Sequence, residues 1–320
     1  MEVHIIMKAF VVNHAGDSSA LELVDRPMPH ADATHSVMRI RAFGVHRYEV
    51  LTREGGSPSV HFPRVLGVEA VGEVAATAPD SGLKVGAHVL TINGGFGRAF
   101  DGSYEEYALV PNKQLYTADY QGSWTDFAQY PETFSTAYGA LQSLRLAPHD
   151  HLLVRGGTSA VGLAIIKLAK ASGYQVTATS RKAARLAFLR DAGADEAVQD
   201  RDGQLQTESM YAGIIDLVGA TTVMNSVAHI NVGGTCCMVG LLSGEWVMHE
   251  FSPFDLQNRY LTTYDSGFAD QQLINAMFAL INAHHITIPI SKVFPFTDLP
   301  AAQDYVMANP QIGEVIVTTD

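Results

Sequence analysis

Apolar and polar positions change rhythm twice along the chain. From Lys8 to Asn13, Ser36 to Phe43, Gly67 to Thr77 and His88 to Ile92, short apolar runs are separated by glycine and proline, which predicts strands and turns. Beyond about Trp124 the period alternates. Strands are expected at Leu152 to Arg155 and Gln175 to Thr179, with helices at Gly162 to Ser172 and Lys182 to Ala192, then strands at Gly213 to Leu217 and Thr235 to Leu241. Strands alternating with helices imply parallel strands joined by helical crossovers, hence an α/β doubly wound sheet. After about Asp265 the alternation stops. Helices at Asp270 to Asn282 and Leu299 to Ala308 and a strand at Glu314 to Thr318 are predicted there.

With 320 residues, 47% of them hydrophobic and 17% charged, the chain is long enough for two domains with separate cores. The apolar run from Gly162 to Ala171 is broken by Lys167 and Lys170 before it reaches the roughly 20 residues of a bilayer span, so no membrane helix is expected. Met1 to Lys8 has neither a long apolar stretch nor a small-residue cleavage site, which makes a cytoplasmic location the default expectation. A net charge of −12 argues against a nucleic-acid partner, whose binding needs clustered cations, and leaves any phosphate site local. The two cysteines, Cys236 and Cys237, are adjacent on a predicted strand and point to opposite faces, so they are expected to be packing residues rather than a disulfide.

The run Leu152-Leu153-Val154-Arg155-Gly156-Gly157-Thr158-Ser159-Ala160-Val161-Gly162 takes an apolar strand through a small-residue turn into an amphipathic helix. In such a context backbone amides approach a pyrophosphate at the helix N-terminus, and the last glycine lets helix and strand pack closely. Against the G-x-G-x-x-G fingerprint, Gly157 and Gly162 fit and Ser159 takes the middle position, so Gly157, Thr158, Ser159, Ala160 and Val161 are the candidate pyrophosphate residues. The next predicted strand ends in Ser180-Arg181-Lys182, where an NAD-specific site would carry an acid on the ribose hydroxyls. Two cations and a hydroxyl there are suited to the 2′-phosphate of NADP(H).

Phe43-Gly44-Val45, the run Phe62 to Glu69 followed by Val71-Gly72-Glu73-Val74, Asp101-Gly102-Ser103-Tyr104-Glu105-Glu106-Tyr107, Thr136-Ala137-Tyr138 and the Gly156 to Gly162 turn together carry a resemblance. Over nearly its full length the chain resembles the zinc-free quinone oxidoreductase branch of the medium-chain dehydrogenase/reductase superfamily. The resemblance implies a GroES-like β domain, 1–123 completed by 266–320, a Rossmann NADP(H)-binding domain, 124–265, and a cofactor cleft between them. It implies Thr136 beside the nicotinamide carboxamide and sets Val218, Gly240, Leu241 and Leu242 at strand ends facing the cofactor. Zinc alcohol dehydrogenases of the superfamily carry a Gly-His-Glu motif; here it reads Gly67-Val68-Glu69, and the cysteine ligands and the structural zinc lobe are missing, so no metal is expected.

Without a metal, the expected chemistry is hydride transfer from NADPH to an electrophilic acceptor, a quinone or conjugated enone. In the branch it resembles, an Asn follows the Phe-Gly-Val segment near the nicotinamide, with an acid and a Tyr a few residues on; here the positions read His46, Glu49 and Leu51, with Tyr48 between. His46 and Tyr48 are therefore the candidate catalytic residues, with packing as the alternative for each. Two other readings stand beside this one: an enoyl-thioester C=C reductase, and an NADPH-binding sensor of low turnover. A homodimer is expected, pairing through an edge strand at Gly234 to Leu242 with Trp246 just beyond.

Overall fold

The computed structural model describes residues 5–245, 247–308 and 312–319, and the chain divides into two compact units. The first comprises Met1–Glu132, Ser266–Phe278 and Pro289–Asp320; the second comprises Thr133–Asp265 and Ala279–Ile288.

The first unit opens with the antiparallel pair β1 (Ile6–Val12) and β2 (Leu21–Pro27), followed by β3 (His35–Gly44), the short helix α1 (Arg47–Arg53), β4 (Glu69–Ala76), β5 (His88–Ile92), β6 (Tyr107–Pro111), β7 (Tyr116–Thr117) and α2 (Trp124–Phe127). β3 pairs antiparallel with both β4 and β6, and β5 bridges β4 to β7. Met38, Ile40, Phe43, Leu66, Phe96 and Tyr104 are buried in its core.

α3 (Pro131–Ser143) leads into the second unit. There follow β8 (His151–Arg155), α4 (Ala160–Ala171), β9 (Gln175–Ser180), α5 (Leu186–Asp191), β10 (Glu196–Arg201), β11 (Gln204–Leu205), β12 (Tyr211–Asp216), α6 (Val223–Ala228), β13 (Ile230–Met238) and β14 (Tyr260–Thr263). The sheet order is β11-β10-β9-β8-β12-β13-β14, parallel from β10 to β14. From β8 the chain moves outward through β9 and β10 and then returns to β8's other side with β12, so the order reverses at the β8/β12 pair, where open α/β sheets take ligands. Leu152, Leu153 and Val154 are fully buried, as a central parallel strand covered on both faces requires. Cys236 and Cys237 are buried free thiols in this sheet.

The tail supplies α7 (Gln271–His284), β15 (Ile290–Pro295), α8 (Leu299–Ala308) and β16 (Glu314–Thr318); β16 pairs parallel with β15 and antiparallel with β3. No helix among the described residues is long and apolar enough to cross a membrane.

Three sequence expectations move. Residues 124–132 fall in the first unit, because Phe127 and Tyr130 join Tyr120 and Phe278 in an aromatic cluster with ring centroids 4.8 to 5.8 Å apart. Only part of the tail returns to the first unit, since 279–288 group with the second. Finally, Gly234 to Leu242 is not a sheet edge: the strand ends at Met238 and β14 pairs along its outer side. Trp246 lies outside the described residues.

Glu105 in the first unit is 3% exposed, its carboxylate accepts no hydrogen bond among the described residues, and Arg26 at 3.5 Å is its ion-pair partner. Burial, aided by the charge of Asp101, pushes its carboxyl well above the usual range. The folded state therefore holds this proton where the unfolded chain releases it. The contribution of this group to stability is fully present below the ordinary glutamate range and is lost as pH rises through the folded value. Glu105→Gln removes that loss, so its melting temperature exceeds that of the wild type by a margin that grows from pH 5 to pH 8 in thermal denaturation; a constant margin would show that Glu105 is ionised in the fold.

Candidate functional site

The Gly156 turn joins β8 to α4. Gly156 has φ +86, a conformation L side chains rarely adopt, and a Cβ on Gly162 would lie 2.6 Å from the Gly156 carbonyl oxygen, so helix and turn approach only because both lack side chains. Ser159 is the N-cap of α4: its hydroxyl accepts from the Gly162 amide at 3.1 Å and donates to the Gly156 carbonyl at 2.9 Å. The hydroxyl standing at the middle fingerprint position thus serves the turn itself. The amides of Thr158, Ala160 and Val161 have no acceptor among the described residues. Three free N–H groups at the positive end of a twelve-residue helix form a cradle for an anion.

At the end of β9, Ser180 is buried and accepts from the Lys182 amide at 3.2 Å, while Arg181 and Lys182 are exposed and have no carboxylate partner among the described residues. The expected helix from Lys182 begins instead as a 3-10 turn at Ala183–Arg185, which leaves Lys182 in an extended cap. Gly156 faces Leu217, Val218 and Leu242: a Cβ there would meet their side chains at 3.1 to 3.9 Å. Gly240 touches the backbone of Leu217, with room for no Cβ, and Gly240, Leu241 and Leu242 follow directly on β13, which ends at Met238 rather than at Leu241. The structure thus gathers Gly157 to Val161, Val218 and Gly240 to Leu242 at the carboxyl ends of β8, β12 and β13. The Val218 amide is already committed, donating to Asp216 Oδ1 at 2.8 Å, and its carbonyl accepts from the Ser243 amide at 3.0 Å, so its side chain is what remains to face a ligand. Thr136 lies in α3, 7% exposed.

In the first unit, His46 caps α1 and Tyr48 sits in its first turn. Their rings stack with centroids 5.5 Å apart and planes 2° from parallel. His46 Nε2 lies 2.9 Å from Glu69 Oε1, which also accepts from the Gly44 amide at 3.1 Å, while the other oxygen of Glu69 accepts from the Glu132 amide. Glu49 accepts from the His46 amide at 2.7 Å and the Val68 amide at 3.0 Å, tying α1 to the segment that carries Glu69. The Glu132 carboxylate accepts from Asn93 Nδ2 at 2.7 Å and Ser266 Oγ at 3.0 Å. The Tyr48 hydroxyl is buried without a hydrogen-bond partner among the described residues.

Burial alone disfavours the His46 cation, but Glu69, Glu314 and Glu49 outweigh it, and the imidazole titrates well above its ordinary range. Burial pushes Glu49 up to about 7. For Tyr48, burial and then the carboxylates of Glu132, Glu49 and Glu69 raise the phenol, so its hydroxyl keeps its proton. Among the described residues no group of three or more His, Cys, Asp or Glu is placed to hold a metal ion.

Sequence reasoning missed Glu69, Glu132, Asn93 and Ser266 as partners of this site. Glu69 was visible within Gly67-Val68-Glu69, but its bond to His46 spans 23 positions and no local pattern announces it.

A doubly wound unit with an anion cradle at its switch point, joined to a β unit completed by the C-terminal strands, defines a dinucleotide-dependent oxidoreductase. The sequence model for the alcohol dehydrogenase GroES-like domain matches residues 32–120, and that for zinc-binding dehydrogenase matches 160–283. A putative quinone oxidoreductase of Bacillus subtilis (strain 168) is 25% identical over 278 residues, covering 83% of this chain and 84% of its own. L-galactonate-5-dehydrogenase of Escherichia coli (strain K12) is 28% identical over 326 residues, covering 92% and 94%. The quinone oxidoreductase structure from Coxiella burnetii superposes with a TM-score of 0.85 at 22% identity, covering 99% of this chain and all of that one (100%). A mycobacterial protein complexed with NADPH superposes with a TM-score of 0.83 at 25% identity, covering 98% and 100%. The chain belongs to the medium-chain dehydrogenase/reductase superfamily, and its similarities align it with the quinone oxidoreductase branch.

Proposed function

We propose that this protein is an NADPH-dependent reductase that delivers a hydride to a quinone or conjugated enone without zinc. The observation that carries the reading is the nucleotide site: free amides at Thr158, Ala160 and Val161, and two unpaired cations, Arg181 and Lys182, where an acid would select NAD. Bound NADPH supplies the reducing hydride. Val68 at the metal-ligand position of relatives, and the engagement of His46 Nε2 by Glu69, support chemistry without zinc. Tyr48 carries a protonated hydroxyl with no internal partner among the described residues, stacked beside His46 and suited to the oxygen that gains charge in the acceptor. His46, held cationic by Glu69, is a fixed charge behind that hydroxyl rather than the donor itself. Glu49, Glu69, Glu132 and Glu314 make the surroundings acidic, which disfavours the polyanionic carrier of an enoyl thioester.

The test is NADPH and NADH oxidation against quinones, neutral enones and enoyl thioesters, with and without a chelator. The expected outcome is chelator-insensitive turnover of quinone or enone with NADPH. NADPH binding with no turnover of any acceptor would establish the sensor reading instead.

The same reading includes a homodimer, now through β14. This strand is the outer edge, its Tyr260 is 63% exposed, and Phe254 and Val232 on the same unit are 91% and 72% exposed. Light scattering should give twice the monomer mass, and Tyr260→Asp, which places a charge on the exposed edge, should give the monomer. A wild-type monomer at micromolar concentrations would refute the pairing.

A further inference from the structure

Arg155 ends β8, immediately before the Gly156 turn, and is fully buried. Its five N–H groups all find acceptors: Nε and Nη2 bond the two oxygens of Asp200 at 2.7 and 3.1 Å, Nη2 also bonds the Gly203 carbonyl at 2.7 Å, and Nη1 bonds the Thr222 carbonyl and Ser226 Oγ, each at 2.9 Å. Ser226 passes the link on, donating to Asp216 Oδ2 at 2.6 Å. Asp216 in turn accepts from the Val218 and Gly219 amides at 2.8 and 3.0 Å and from the Thr222 hydroxyl. One guanidinium thereby connects the end of β8, the β10–β11 hairpin and the turn after β12.

An apolar side chain of similar volume would hold the strands together at less desolvation cost. What it could not do is anchor the carboxylate that receives two inward-turned amides. Without those acceptors the Leu217 to Gly219 turn has no reason to keep its shape, and its neighbours have no slack: Gly219 has φ +107, and Gly240 packs directly on the Leu217 backbone.

We propose that Arg155 is a positioning residue for the dinucleotide: through Ser226 and Asp216 it fixes the Leu217–Gly219 turn, and with it Gly240 to Leu242, against the Gly156 turn. The proposal rests on the NADPH reading above. Being buried, Arg155 touches no ligand, so its effect is on how the two turns meet one. No residue of the network bonds Ser180 to Lys182 at the end of β9, whose link to β10 runs through Gln199, and this predicts a split between ligands. The whole dinucleotide depends on Arg155, whereas 2′,5′-ADP, the fragment that Arg181 and Lys182 are proposed to hold, does not.

The experiment measures dissociation constants for NADPH and 2′,5′-ADP on the full chain by calorimetry, with melting temperatures alongside. Ser226→Ala, a mild change, is expected to weaken NADPH roughly tenfold, the loss of a charge-assisted link. Arg155→Lys weakens it further, and 2′,5′-ADP stays within about twofold in both variants. Unchanged NADPH affinity in folded Ser226→Ala overturns the proposal. So does a parallel loss of both ligands, which marks general destabilisation. If the wild type prefers NADH, the cofactor reading falls, and the positioning role is then tested by whether NADH affinity drops in the same variants; a wild type that binds neither dinucleotide overturns both.

Discussion

Replacing Arg181 and Lys182 together with alanine is expected to lower NADPH affinity by about two to three orders of magnitude, with NADH affinity changed by no more than about threefold. On the proposed reading each side chain supplies a charge-assisted contact to the 2′-phosphate worth about 1.5–3 kcal/mol, and the lower part of that range applies because both are exposed and solvent screens them. Neither cation supports the fold through an ion pair among the described residues, so stability should be unaffected. Fluorescence titration of NADPH and NADH against wild type and double variant measures the effect. If the two cofactors weakened equally, the cations would be serving the pyrophosphate or the turn rather than the ribose phosphate.

Tyr48→Phe is expected to lower kcat for an enone by about 10²- to 10⁴-fold, the range for losing a positioned proton donor, with the dissociation constant for NADPH unchanged. Phenylalanine keeps the ring stacked on His46 and removes an oxygen that has no partner among the described residues, so none of them is orphaned by the change. The kcat loss should extend across the neutral range, because the phenol of the wild type stays protonated there. Full turnover in Tyr48→Phe would assign the proton to solvent. His46→Gln then becomes the informative variant, since it removes the charge behind the hydroxyl while leaving Glu69 its amide donors from Gly44 and Glu132.

The Gly156 turn was legible because everything it needs is consecutive: an apolar strand, small residues that let backbone meet backbone, an N-cap serine and an amphipathic helix, from Leu152 to Ala171. The missing acid at Ser180 to Lys182 and the valine at position 68 were legible for the same reason. Each is one residue at a fixed offset from a local pattern.

What required the tertiary structure was every relation between distant positions. Asn93, Ser266 and Glu132 are far apart in sequence and meet at one carboxylate, and Glu69 serves His46 from across an antiparallel pair of strands. Arg155 ends a predicted strand, yet it is buried because Asp200 and Asp216, 45 and 61 positions later, arrive from β10 and β12, on either side of β8 in the sheet. The aromatic cluster moved the first domain boundary, and a strand too short to announce itself, β14, took the sheet edge from β13. Local pattern by itself determined the strand-turn-helix unit at Gly156 and its N-cap, because backbone geometry is written in neighbouring residues. The partners of the buried charges and the outer edge of the sheet were decided by tertiary packing alone. A carboxylate's environment depends on which strands lie beside it, and strand order is set by the balance of the whole core.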